Sequence, residues 1–226
     1  MSAERPVVTR TYRQVRFERP PESTEILLVR HGESAIADPA RPFRLLEGRG
    51  DPELSPEGRE QAGQLAERLQ ATAVCACYVT PLRRTHETAA PLCAHHNLQP
   101  VVEPDLVEVH MGEWEGGRYR QKIAERDPLA ARLFEEERWD LIPGAESNAS
   151  LFSRTRRAIE RIARRHPGET VVAVAHAVSI SAVLAQATRS SPFAFVGGDN
   201  ASISTLVVSG ARWTLRRFND TAHLEG

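Results

Sequence analysis

The sequence predicts an α/β protein, a three-layer α/β/α sandwich with a mostly parallel central sheet. Three short and nearly continuous apolar runs carry this prediction: residues 25–30, 74–79 and 171–175. Runs of this kind are typical of strands that helices cover on both faces. A helical segment follows each run along the chain, and strands that alternate with helices favour a parallel sheet.

The first run is preceded by residues 1–24, which we interpret as an N-terminal arm ending at Pro20-Pro21. Residues 25–226 then form a single domain, in keeping with the length of the chain. After the first run, a loop rich in Pro, Gly and Arg over residues 35–51 leads to a helix. Ser55 is a plausible cap of this helix and Pro56 a favourable first residue.

The remaining elements follow from helical spacing and from turn residues. They are a helix over 82–95, a short strand at Val101-Val102, a helical region over 118–140 that Pro128 divides, helices over 149–165 and 180–187, and a hairpin of Ile203–Val208 with Trp213–Phe218.

Composition limits the classes of function. The formal net charge is −1, so nothing favours a nucleic-acid or membrane-surface partner. No apolar run reaches the length of a membrane span, and the N-terminus lacks an apolar signal segment. The three cysteines, Cys75, Cys77 and Cys93, lack zinc-type spacing, and we interpret Cys75 and Cys77 as small buried side chains of one strand. A reduced, cytoplasmic setting is expected.

Arginine or histidine side chains follow each of the three apolar runs. Arg30-His31 ends the first, Arg83-Arg84 comes shortly after the second, and His176 ends the third. Ligands of parallel sheets bind beyond the carboxyl ends of the strands, so these side chains are expected at one edge. Glu108 lies in a loop that can fold over the same edge. Arginine suits phosphoryl oxygens and a neutral histidine is a nucleophile, so the set predicts phosphoryl transfer.

These residues fall within segments that resemble the histidine phosphatase superfamily, also called the phosphoglycerate mutase-like family, from Glu25 onward. The matching segments are LVRHGES (28–34), DPELSPEGREQA (51–62), TPLRRTHETA (80–89), LVEVHMGEWEG (106–116), PGAES (143–147) and VVAVAH (171–176). The resemblance implies an α/β sandwich and a phosphohistidine mechanism. It implies that His31 is the nucleophile and Glu108 the proton donor, and that Arg30, Arg84 and His176 bind the phosphoryl group.

The chemistry of these side chains supports the implied roles. An imidazole can hold the phosphoryl group covalently, provided that one ring nitrogen is free and the other is held as a donor, for which we expect a backbone carbonyl. Arg30 and Arg84 can neutralise the equatorial oxygens. Glu108 can protonate the leaving alkoxide and then activate water. No metal or cofactor is implied.

The leading hypothesis is a phosphatase that hydrolyses a small phosphorylated substrate, a phosphomonoester, through a phosphohistidine on His31. One alternative is a cofactor-dependent phosphoglycerate mutase with the same pocket. Another is a phosphate-binding member with impaired turnover, because Ala177 replaces the usual glycine after the second histidine and Ala37 replaces a usual asparagine. The natural substrate stays open, and so does the oligomeric state, including a homodimer.

The loop between His31 and Gly48 is longer than usual for the family. Its side chains Arg41, Phe43, Arg44 and Arg49 either overhang the pocket and select substrates or lie in solvent.

Overall fold

The computed structural model describes residues 11–225. Its central sheet has six strands in the order β5-β4-β6-β1-β7-β8, and two further short strands pair with each other. The strands are β1 (Thr24–Arg30), β2 (Leu45–Leu46), β3 (Arg49–Gly50), β4 (Ala76–Val79), β5 (Val101–Val102), β6 (Thr170–Ala175), β7 (Ile203–Ser209) and β8 (Arg212–Asp220).

Strands β1, β4, β5 and β6 run parallel to one another. The β7–β8 hairpin extends the sheet beyond β1, with β7 antiparallel to β1. The helices are α1 (Pro56–Leu69), α2 (Arg83–His96), α3 (Arg118–Ala124), α4 (Pro128–Glu136), α5 (Asn148–Arg165) and α6 (Ala177–Thr188). Among the described residues, no helix combines the length and apolarity that crossing a bilayer requires.

Alternate residues of β1 supply the two faces of the sheet. Ile26 and Leu28 pack into a core shared with α5 and α6, whereas Leu27 and Val29 pack into a core shared with α1 and α2. Since both faces are buried, the strand is apolar at nearly every position. The predicted three-layer sandwich with a mostly parallel sheet is therefore confirmed.

Two element boundaries differ from the prediction in ways that matter for the site. Helix α6 begins at Ala177, three residues earlier than predicted, directly after His176. Strand β4 begins at Ala76, so Cys75 lies before the strand and is exposed, and the prediction that it is a buried thiol is wrong. Of the predicted arm over 1–24, residues 1–10 lie outside the described residues, and 11–23 contain neither helix nor strand.

Candidate active site

Two histidines meet at the carboxyl edge of the sheet because their strands are neighbours. In the parallel pairing of β1 with β6, Arg30 lies opposite Ala175. His31 and His176 are each the next residue along their chains. Their ring centroids are 5.2 Å apart at an interplanar angle of 63°. Both are buried, with 6% of His31 and 0% of His176 exposed.

The backbone around His31 fixes its ring. Nδ1 of His31 lies 2.7 Å from the carbonyl oxygen of Gly32, so Nδ1 carries the proton and donates it there. This is the backbone partner expected from the sequence, and it leaves Nε2 with its lone pair. The His31 N–H donates to the oxygen of Ala175 at 3.0 Å, and the Asn200 amide donates to the His31 oxygen at 2.9 Å.

The ring of His176 is oriented by two threonines. Its Nε2 lies 2.9 Å from the Thr80 hydroxyl oxygen. The Thr85 hydroxyl donates to the carbonyl of Leu82 at 2.8 Å, which leaves the Thr80 hydroxyl able to donate to Nε2. The ring proton then lies on Nδ1, which is buried and has no hydrogen-bond partner in the described part of the chain. In this tautomer, His176 has an N–H donor that no described residue uses.

Two guanidinium groups accompany the histidines. Arg30 donates to the oxygen of Gly198, and its buried Nε has no partner among residues 11–225. Arg84 is buried at the start of α2 and donates to the oxygen of Gly50 at 2.9 Å. The neighbouring Arg83 is exposed and pairs with the carboxylates of Glu53 and Glu87. The fold thus brings Arg84, and not Arg83, to this edge, as the family resemblance implied.

The Glu108 carboxylate lies at the N-terminus of α6. It accepts hydrogen bonds from the backbone N–H groups of Val109 (3.0 Å), Ser179 (3.2 Å) and Val178 (3.4 Å). Burial nevertheless raises the pKa of Glu108, against these hydrogen bonds and the attraction of Arg84. A carboxyl group with a raised pKa can keep its proton closer to neutrality and donate it.

The pKa values of the two histidines shift in the opposite direction. Burial, reinforced by the positive charge of Arg84, lowers the pKa of both His31 and His176 well below the ordinary value. Burial also lowers the pKa of Arg84 to about 10, which leaves it charged at neutral pH. The site therefore holds neutral imidazoles next to cationic guanidinium groups.

The loop that carries Glu108 is anchored from behind. Arg154 in α5 donates to the carbonyl oxygens of Asp105 (2.8 Å), Val107 (2.7 Å) and Glu108 (3.2 Å), and its two other hydrogen bonds reach the Glu146 carboxylate. Arg49 also donates to the backbone carbonyl oxygen of Glu108, at 2.9 Å. Glu108 thus sits on backbone that two arginines hold.

The site contains two adjoining cavities, one of about 330 Å³ and one of about 630 Å³. The smaller is lined by Arg30, His31, Arg84 and Glu108, whereas His176 is buried behind His31 and lines neither cavity. The larger continues outward between α3 and the loop over 35–42. Four residues line both cavities: Arg30, His31, Gly117 and Arg120.

The long loop after His31 contributes to the pocket in part. Phe43 and Arg49 line the smaller cavity, and the Phe43 N–H donates to the oxygen of Gly116 at 3.0 Å. Arg41 and Arg44 are exposed and line neither cavity. The overhang interpretation is therefore confirmed for Phe43 and Arg49 and wrong for the other two arginines.

Two small residues near the histidines have clear structural settings. Gly32 allows α1 to approach closely, because a Cβ there would lie 2.6 Å from the oxygen of Gly58. Ala177 begins α6 and does not need the positive φ that a glycine would favour. Alanine is thus compatible with the backbone at this position.

Several side chains that shape the site carry weak signals in the sequence. Asn200, Thr80 and Arg154 contact the predicted residues from distant parts of the chain, with separations of 169, 96 and 46 residues. Arg120 is indistinguishable in sequence from a charged helix end. It donates to Ser34 Oγ at 2.6 Å and reaches both cavities.

A buried histidine pair, paired guanidinium groups and a protonatable carboxyl at the carboxyl edge of an α/β sheet define a phosphoryl-transfer enzyme. Residues 26–221 match the sequence model of the histidine phosphatase superfamily, branch 1. The chain belongs to this superfamily, as the resemblance in the sequence indicated.

Named relatives support the phosphatase class. Phosphoserine phosphatase 1 of Hydrogenobacter thermophilus is 32% identical over 203 residues, covering 88% of this chain and 94% of that protein. The metal-independent phosphoserine phosphatase of Arabidopsis thaliana is 34% identical over 207 residues, covering 90% and 84%. These relatives confirm the prediction of a phosphatase-type enzyme.

Solved structures agree with the fold. A mycobacterial glucosyl-3-phosphoglycerate phosphatase in complex with inorganic phosphate has a TM-score of 0.70 at 30% identity, covering 88% of this chain and 98% of that one. A phosphoglycerate mutase from Bacillus anthracis has a TM-score of 0.76, covering 90% and 96%; at 20% identity it supports the fold alone.

Proposed function

We propose that this protein hydrolyses small phosphomonoesters by transferring the phosphoryl group to Nε2 of His31. One observation carries the proposal: the Gly32 carbonyl holds Nδ1, so the other ring nitrogen keeps its lone pair in a site where burial keeps the ring neutral. A neutral, oriented imidazole is the form that attacks phosphorus.

The neighbouring groups have complementary roles in this proposal. Arg30, Arg84 and the unpartnered Nδ1–H of His176 bind the oxygens of the phosphoryl group. Glu108 donates its proton to the leaving oxygen as the P–O bond breaks and the P–N bond forms. In the second step Glu108 takes a proton from water, which attacks phosphorus and releases His31 and inorganic phosphate.

The larger cavity suggests the chemistry of the alcohol portion. Arg120 lies where the two cavities join, and a guanidinium there suits a carboxylate on the leaving group. The names of the relatives point the same way, since phosphoserine and glucosyl-3-phosphoglycerate both contain a carboxylate. We therefore propose a carboxylate-bearing phosphomonoester as the substrate class.

Rapid quenching during turnover of labelled O-phosphoserine tests the mechanism. We expect an acid-labile phosphoryl adduct in the wild type and in the exposed control His95→Asn, and none in His31→Asn. Active turnover without an adduct on His31 would overturn the proposal. Phosphoglycerate interconversion faster than phosphate release would instead identify a mutase, and tight phosphate binding without release would identify an impaired member.

The substrate class is tested separately. Arg120→Gln should raise KM for O-phosphoserine at least tenfold and leave KM for an aryl phosphate without a carboxylate within about twofold. Arg132→Gln, which alters an exposed arginine of α4 that lines neither cavity, is the matched control. Equal effects of Arg120→Gln on both substrates would reject the carboxylate assignment.

Two finer expectations belong to the same proposal. The enzyme acts in a reducing, cytoplasmic setting, and assembly as a homodimer stays a prediction. Light scattering after size exclusion determines the oligomeric state.

A further inference from the structure

Three potential metal ligands meet at the end of the sheet opposite the active site. Cys75 precedes β4, His166 follows the last turn of α5, and Glu169 precedes β6. Sγ of Cys75 lies 3.1 Å from Oε2 of Glu169 and 3.5 Å from Nδ1 of His166, and Nδ1 lies 2.8 Å from Oε2. The three donor atoms thus face a common point.

We propose that this cluster, the Cys75 site, binds a single divalent metal ion of the zinc type, with water as the fourth ligand. Zinc–ligand bonds of about 2.0–2.3 Å at tetrahedral angles place S, N and O donors roughly 3.4–3.6 Å apart. The sulfur–nitrogen separation already has this value, and the carboxylate must move outward by about 0.6 Å. The Glu169 side chain is 49% exposed and can make this movement.

The histidine is already oriented for this role. Nε2 of His166 lies 2.9 Å from the hydroxyl oxygen of Tyr78. An oxygen partner on the other ring nitrogen is the usual support of a metal-binding histidine, because it fixes the tautomer and the ring orientation. Thr24 donates to the His166 carbonyl at 2.7 Å and holds the backbone as well. Nδ1 is therefore directed toward Cys75 and Glu169.

The same contacts also describe a hydrogen-bonded cluster without metal, in which the thiol and the imidazole both donate to Glu169. Partial desolvation and the hydrogen bond to the Glu169 carboxylate raise the pKa of Cys75 to about 12 in this cluster. The two descriptions differ in a measurable way. A metal must displace the thiol proton, whereas the hydrogen-bonded cluster binds no ion.

The position of the site indicates a structural role. The cluster joins the end of α5 to the starts of β4 and β6, while His31 and Glu108 lie at the other end of the sheet. A metal there would cross-link three elements and raise thermal stability without entering the reaction. The proposal is therefore independent of the proposed function.

Titration of the chelator-treated, full-length protein with Co²⁺ or Zn²⁺ tests the site. We expect one Co²⁺ ion per chain with a thiolate-to-cobalt charge-transfer band, and a higher melting temperature with Zn²⁺. Cys75→Ser should abolish the band and weaken binding at least tenfold, with phosphatase activity unchanged. Glu169→Gln keeps an acceptor for the thiol, so it tests metal affinity even if Cys75→Ser folds poorly.

A control variant tests whether histidines outside the Cys75 site bind the Co²⁺ ion. His95 and His96 have ring centroids 4.9 Å apart and form an unrelated pair, so the double variant His95→Gln/His96→Gln should bind Co²⁺ as the wild type does. Absence of stoichiometric binding, or a charge-transfer band that survives in Cys75→Ser, would overturn the proposal.

Discussion

Arg154 and Glu146 form a two-point ion pair, with both N–O distances 2.8 Å, in a nearly buried position behind the loop of Glu108. The remaining donors of the same guanidinium reach carbonyl oxygens of that loop, including the one of Glu108 itself. The pair therefore connects α5 to the residue proposed as the proton donor. Neither residue lines the cavities, so we expect the pair to affect catalysis only through the position of Glu108.

Arg154→Met should destabilise the protein by about 3–5 kcal/mol, because it leaves the Glu146 carboxylate buried without its partner. We also expect kcat to fall more for an alkyl phosphate than for an aryl phosphate, since a displaced Glu108 protonates the poorer leaving group less well. Urea denaturation and steady-state kinetics measure both effects. Arg156→Met, an exposed change in the same helix, is the control. Equal losses for the two substrates would argue for a purely structural role.

Glu108→Gln tests the proton donor directly. The amide keeps the shape but cannot donate a proton, so kcat for an alkyl phosphate should fall about 10²–10⁴-fold. In the wild type the raised pKa of Glu108 keeps the acid form present, and the rate should decline as the pH rises through this pKa. The variant should lose this alkaline decline. Exposed Glu113→Gln is the matched control, and an unchanged pH profile in Glu108→Gln would assign the acid elsewhere.

Gly32→Ala should reduce both stability and activity. Its Cβ would lie 2.6 Å from backbone of Gly58, so either α1 or the adjacent His31 must shift. Gly63, which lies in α1 as Gly58 does, provides the control. A Cβ on Gly63 would meet nothing within 4 Å, so Gly63→Ala should stabilise the protein by about 0.5–1 kcal/mol. Thermal melting and kcat distinguish the two, and a fully active Gly32→Ala would contradict the close approach.

The buried histidines predict a loss of stability in acid. Burial lowers the pKa of His176 in the folded state, so below about pH 6.5 the unfolded chain binds a proton that the folded chain does not. The free energy of unfolding should therefore fall with decreasing pH by up to about 1.4 kcal/mol per pH unit for each such group. His176→Gln should reduce this slope, whereas exposed His95→Gln should not. Denaturation between pH 7 and pH 5 measures the slope, and an unchanged slope in His176→Gln would contradict the prediction.

Much of the fold and the site could be predicted because their signals are local. Uninterrupted apolar strands indicate a sheet covered on both faces, and a strand's end indicates where its next side chain lies. Arg30, His31 and His176 therefore follow from strand positions alone. Arg84 and Glu108 could be assigned to the site only through the family resemblance. In the sequence alone, a charged residue at a helix start and a carboxylate in a loop have many ordinary explanations.

What could not be predicted depends on contacts between distant segments. At the early start of helix α6, the Ser179 hydroxyl accepts the N–H of His176, and the Glu108 carboxylate, 70 residues from Val178, accepts the N–H of Val178. Arg154 looks like any arginine of a charged helix until its partners are known. The Cys75 site has no recognisable spacing for the same reason: its ligands lie 91 and 94 residues apart, and only the pairing of β4 with β6 brings them together.

The opposition of Arg30 and Ala175 in two central strands has a consequence for how the enzyme loses activity. The distance between the two imidazoles is set by main-chain bonds in the innermost part of the sheet, which usually open only when the whole molecule unfolds. Partial fraying at the periphery would leave that spacing intact. Inactivation by denaturant should accordingly coincide with loss of the entire β-structure, and not precede it.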